Sequence, residues 1–256
     1  MKFVKRFKTE TDYNSYMGSD RLILPNISLI DEASEMSEED SGVRFNPLPD
    51  DPYNGYEYVD LGLPSGLKWA KCNVGAEKET DYGLYFAWGE TVGYKDASSG
   101  KSFSWSDYKY CNGSSTTLTK YNNKSSYGTV DNLITLLPED DAASVNMGGS
   151  WHMPSKEQYE ELYNSSYTTT TWTTVNGING RLITSKTNNN TLFLPASGDC
   201  SLGSVFNVGS YGYYWSSSLN EDNPSNAWYL RFGSGSISVG SNFGRFYGLT
   251  VRGVMD

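Results

Sequence analysis

A single histidine, three cysteines and a few groups of carboxylates limit the chemistry open to this chain. His152 stands in "SWHMP". Zinc and iron centres draw on several His, Cys or carboxylate ligands, and a nucleophilic triad needs a base that a third group orients. One imidazole provides neither, so it reads as a packed or hydrogen-bonded side chain. Cys72, Cys111 and Cys200 are odd in number and form no C-x-x-C pair, the pattern of structural thiols rather than a disulfide framework. Glu139, Asp140 and Asp141 could gather calcium, but no loop of alternating oxygen ligands follows them. Directly after Pro138, they suit the first turn of a helix. Glu157, Glu160 and Glu161 would serve a glycosidase only if two carboxylates faced each other across a cleft; along one helix they read as solvated. "GSGSISVG" has glycines but neither a lysine nor a following helix, unlike a phosphate-binding loop. The expectation is a protein that is not an enzyme and uses no metal or cofactor.

Recognition chemistry is better represented. The chain has 20 Tyr against 10 Phe, and tyrosine offers a large contact area at a small entropic cost. Its ring can also stack on a sugar while the hydroxyl bonds at the edge. In the segment Ala227–Gly253, Leu230, Phe232, Ile237 and Val239 recur at alternate positions. The set between and after them is mixed: Tyr229, Arg231, Gly233, Ser234, Ser236, Ser238, Gly240, Ser241, Asn242 and Phe243. Alternate side chains of a strand face opposite ways, so the pattern predicts a half-buried hairpin with an outward mixed face. Most tryptophans, including Trp69, Trp88, Trp151 and Trp215, are expected in the core.

The elements that would hold such a face are short. Residues 1–30 form a first unit, with an extended "RLILPNISLI" that is too short for a core of its own. Residues 31–55 read as an acidic, Pro-rich linker. From residue 56 to 256 the texture is that of one loop-rich α+β domain. Two strands flank "LPSG", and "DYGLYFAWGET" reads as an aromatic strand. A short helix follows Pro138. The clearest helix begins after Ser155, where Ser155 and Gln158 make a capping box and Tyr159, Leu162 and Tyr163 an apolar face. "GRLITSK" and "TLFLPA" form a hairpin, and "SYGYYWSSS" a further strand. The net charge of −10 disfavours binding to nucleic acid or to an anionic membrane surface. No apolar run reaches transmembrane length, and the N-terminus lacks the apolar centre of a secretion signal.

In order along the chain, "VDLGLPSGLKWAKCNVGA", "DYGLYFAWGET", "LPEDDAASVNMGGSWHMPSKEQYEEL", "LFLPASG", "GYYWSSS" and "VRGV" resemble the Fibrobacter major-paralogous type of domain. The resemblance spans roughly residues 56–256 and implies a C-type-lectin-like fold, similar to that of formylglycine-generating enzymes, with short twisted sheets, few helices and long loops. His152 and Ser155 depart from the Arg and Thr usual in "GGSWRMPT". The C-terminal segment also resembles the variable region of proteins diversified by retroelements. That likeness implies a binding surface of Tyr229, Arg231, Gly233, Ser234, Ser236, Ser238, Gly240, Ser241, Asn242, Phe243, Phe246 and Tyr247 over a scaffold of Leu230, Phe232, Ile237, Val239, Arg245 and Val251. The residues before Asp31 are more weakly similar to the N-termini of structural proteins of phages of gut bacteria. Together these resemblances imply a recognition module on a virion surface, binding a host glycan or protein. Other virion proteins, or sister chains of a homotrimer, would meet its N-terminal segment. A bacterial cell-surface adhesin is the alternative, and an oxidase related to formylglycine-generating enzymes ranks below both.

Overall fold

The computed structural model describes residues 53–96 and 100–256, within the second of two units of the chain, Pro52–Asp256. The expected docking segment 1–30 and linker residues 31–52 lie outside the described residues. The described part is built mostly of small antiparallel sheets with few, short helices. It is α+β in class and mostly β.

The first sheet joins β1 (Tyr58–Asp60), β2 (Lys68–Ala70) and β11 (Val254–Met255), so the first and last strands of the described part share one sheet. The turn between β1 and β2 is closed by Gly66 N–H donating to Leu63 O at 2.9 Å, and Lys68 pairs across the strands with Asp60 at 2.5 Å. The second sheet runs β3 (Thr168–Val175), β4 (Ile178–Ser185), β5 (Thr191–Pro195). The hairpin expected here is present, and the threonine-rich stretch before it adds a third strand. Its β-branched residues favour an extended backbone. A small hairpin pairs β6 (Asp199–Ser201) with β7 (Ser204–Phe206). The last sheet, in the order β10 (Ile237–Gly244), β9 (Asn226–Phe232), β8 (Gly212–Leu219), places β9 at its centre.

Two α-helices are present among the described residues. α1 (Ala142–Met147) is capped by Asp141, whose carboxylate accepts from Ser144 N–H. α2 (Lys156–Leu162) carries the complete capping box: Ser155 Oγ accepts from Gln158 N–H, and Gln158 Oε1 accepts from Ser155 N–H at 2.7 Å. Tyr159 and Leu162 are buried, and α2 packs against β8, β9 and β10. Glu157 and Glu160 are exposed as expected, whereas Glu161 reaches the β1–β2 turn and accepts from Ser65 N–H at 2.9 Å.

Two expectations are corrected. "DYGLYFAWGET" forms no regular strand; Tyr85 bridges to Tyr94 and Phe86 to Leu249 as single pairs. Tyr85, Phe86, Ala87 and Trp88 are all buried, so the segment threads the core between changing neighbours instead of following one ladder. The one short helix expected from Pro138, with the acids in its first turn, is divided: Glu139 and Asp140 lie in the first turn of a 3₁₀ element, and Asp141 caps the α-helix that follows. Pro138–Asp140 is a 3₁₀ turn, and Asp140 is buried, accepting from Tyr110 and Tyr121 and pairing with Lys120 at 2.5 Å. Burial pushes the Asp140 carboxyl up, but the bonds from Lys120, Tyr110 and Tyr121 outweigh that and hold it at about 2.

The core has two apolar clusters that meet at the β8–β9–β10 sheet. One contains Trp88, Trp151, Trp215 and Tyr229; the other contains Trp69, Tyr159, Leu230 and Phe232. The four tryptophans named in the sequence are all buried, as expected. Arg245 and Arg252 are also fully buried, with no carboxylate partner among the described residues. Arg245 donates to Tyr121 O (2.7 Å), Pro224 O (3.1 Å) and Lys120 O (3.0 Å), and Arg252 to Ala70 O, Lys71 O and Phe193 O. Arg245 thus satisfies carbonyls of loops, and Arg252 ties the end of β2 to β5 through their main-chain oxygens.

Candidate ligand-binding face

The β9–β10 hairpin is present, but its two faces are not divided into packed and open. Leu230 and Phe232 are buried, and Ile237 and Val239 half-buried, against the cluster that includes Tyr159 of α2. This side matches the expected scaffold, as do fully buried Arg245 and Val251. The opposite side is partly covered as well, because β9 is the central strand and its neighbours bring their own rings. Tyr229, expected outward, is 2 % exposed. Its ring stacks on Phe243 at 4.7 Å and meets Trp215 edge-on at 6.0 Å, and its hydroxyl donates to Asn242 Oδ1. Burial pushes this phenol up to about 12. Tyr229 is therefore a core residue and not a surface anchor.

Gly233 is also buried, and a Cβ there would come within 2.9 Å of the Tyr211 ring. At Gly240, half-buried, a Cβ would meet the Tyr229 ring at 2.9 Å. These glycines leave room for the aromatic rings beside them rather than offering free surface. The remaining candidates are accessible. Arg231, Ser234, Ser236, Ser238 and Asn242 are exposed; Ser241, Phe243, Phe246 and Tyr247 are half-exposed.

The accessible aromatics belong to a continuous row. Tyr211 stacks on Tyr213 at 6.0 Å, Tyr213 leans on Phe243 at 5.0 Å, Phe243 stacks on Tyr247 at 4.7 Å, and Tyr247 on Phe246 at 4.4 Å. Trp105 closes the row edge-on to Phe246 at 5.0 Å. Each ring is held by the next, so the row is fixed before any ligand arrives. Arg231 lies at the other end, its guanidinium carbon 5.2 Å from the centre of the Tyr211 ring. The sheet register places Arg231 between Tyr213 on β8 and Ser238 on β10. Burial raises the Tyr213 phenol, and the nearby Arg231 charge offsets part of that rise. Asp199, buried in β6, accepts from Asn207 Nδ2 at 2.8 Å; desolvation raises its carboxyl.

Tyr211, Tyr213 and Trp105 are members of this face that were not among the expected binding residues. Tyr211 and Tyr213 stand at alternate positions of "SYGYYWSSS", which was the available signal; Trp105 comes from a loop with no period to read. His152 is half-buried, with Nδ1 3.1 Å from Met153 O and its backbone paired to Val254. The three cysteines are free thiols, Cys200 buried and the others half-buried. Among the described residues, no three His, Cys, Asp or Glu side chains are grouped to hold a metal ion, and no helix is long and apolar enough to cross a membrane. No family model, curated protein or solved structure matches the chain.

Proposed function

We propose that this protein is a non-enzymatic recognition module with a C-type-lectin-like fold, displayed on a phage virion, that binds a host-surface glycan or protein through the β9–β10 face. The observation that carries the reading is the pre-stacked row of half-exposed aromatics beside an exposed arginine. Aromatic and arginine side chains dominate binding hot spots, and side chains already ordered lose little entropy on binding. The ordered motifs of the sequence support the fold assignment. The binding residues under this reading are Arg231, Ser234, Ser236, Ser238, Ser241, Asn242, Phe243, Phe246 and Tyr247, joined by Tyr211 and Trp105.

The test is binding of fluorescently labelled full-length protein to intact host cells, with a search for the chain in purified phage particles by mass spectrometry. Phe246→Ala and Tyr247→Ala are expected to lose cell binding while melting near the wild type. Unchanged binding by both variants refutes the assignment of the face. Recovery of the chain from bacterial surfaces and not from particles favours the adhesin instead.

A further inference from the structure

The arginines of the described residues divide sharply. Arg181, Arg245 and Arg252 are buried, and their bonds go to carbonyl, hydroxyl and amide oxygens within the fold. Arg231 is exposed and pairs with no carboxylate among the described residues. It is nevertheless not a loose surface charge. The plane of Tyr211 lies beneath it, Tyr211 is fixed by Tyr213, and Gly233 leaves the space Tyr211 occupies. With the Tyr211 ring beneath it and the Tyr213 hydroxyl beside it, the guanidinium is oriented by the fold, and a planar fork of this kind can grip a carboxylate through two parallel bonds. This fixed positive charge stands on a chain whose net charge is −10.

Its surroundings fit a polyol. Ser238 lies directly across the ladder, Ser236 follows the turn, and Asn242 is exposed on the same strand. These groups both donate and accept, as sugar hydroxyls require. Beyond them the half-exposed edges of Phe243 and Tyr247 provide apolar cover for the C–H side of a ring. We infer that the face takes an acidic saccharide, a pyranose carrying a carboxylate such as a sialic or uronic acid unit, with Arg231 holding the carboxylate and the serines and Asn242 the hydroxyls. The inference rests on the reading of this face as the recognition surface and adds the chemical class of its ligand.

The experiment uses full-length protein against sialyllactose, oligogalacturonate and the neutral sugar lactose, by calorimetry, with a poly-glutamate peptide as a further arm. At least one acidic sugar is expected to bind ten times or more tighter than lactose, and to weaken as salt is raised. Arg231→Gln is expected to lose about ten- to a hundredfold of that affinity, the scale of hydrogen bonds to a charged group, without lowering the melting temperature. Equal affinity for lactose, an unaffected Arg231→Gln, binding of the peptide alone, or no binding of either acidic sugar at millimolar concentration overturns the inference. Whole-cell binding separates the two levels. Loss in Phe246→Ala with none in Arg231→Gln leaves the face standing and removes the acidic sugar; no loss in either removes the face.

Discussion

Replacing Tyr229 with alanine distinguishes a packed centre strand from an open hairpin face. The ring is 2 % exposed, with Phe243 at 4.7 Å, Trp215 at 6.0 Å and Tyr213 at 6.1 Å. Emptying a buried aromatic position costs about 3–5 kcal/mol, transfer and cavity together. For a body of this size, each kcal/mol moves the midpoint by roughly 2–4 °C, so Tyr229→Ala is expected to melt roughly 6–20 °C early. Tyr229→Phe keeps the ring and loses only the bond to Asn242 Oδ1. The amide of Asn242 is exposed and regains water, so the loss is about 1 kcal/mol or less. Tyr247 is half-exposed, and Tyr247→Ala should forfeit about half of the roughly 1.5–3 kcal/mol of a fully buried side chain. Urea unfolding of the full chain followed by circular dichroism, with thermal melts alongside, measures all three. A Tyr229→Ala variant within about 1 kcal/mol of the wild type, or a Tyr247→Ala variant equally damaged, would refute the packing argument.

Gly240→Ala brings a methyl group to 2.9 Å from the Tyr229 ring, and the overpacking should lower stability by about 1–3 kcal/mol; an unchanged urea midpoint would mean that the ring moves aside freely. Ser155→Ala removes the acceptor of the capping box and should cost about 1 kcal/mol, with Ser155→Asp recovering most of it in the same assay. Asp140→Asn tests the buried acid through pH. Its folded carboxyl titrates at about 2, below the ordinary 3.8, so its charge adds stability that is complete above about pH 4 and disappears as pH falls through 2, about 2 kcal/mol in all. The stability gap between wild type and Asp140→Asn should therefore be constant from pH 5 to 7 and close at acid pH; a gap that widens on acidification contradicts the sign.

Local rules carried the sequence reading where the structure depends on neighbours in the chain. The capping box at Ser155 with its Tyr159–Leu162 face, the β1–β2 turn, the β4–β5 hairpin and the alternation of Leu230 and Phe232 are each set within a few residues, and each is present. The strand at Thr168–Val175 is legible by the same rules, in its run of β-branched residues. The position of β9 at the centre of its sheet was not legible, because an alternating pattern is the same for an edge strand and a central one. Nor was it legible that Phe243 and Trp215 cover Tyr229, which makes it core, while Arg231, two residues on along the same strand face, meets solvent. Asp140 differs from exposed Glu139 only because Tyr110, Tyr121 and Lys120 converge on it from distant loops. The aromatic row likewise draws Tyr211 and Tyr213 from β8 and its approach, Phe243 from β10, Phe246 and Tyr247 from the turn after it, and Trp105 from a loop far back in the chain. The residue types were in the sequence; which of them share a surface depended on strand order and on burial from both sides, and these arise only when the sheets pack.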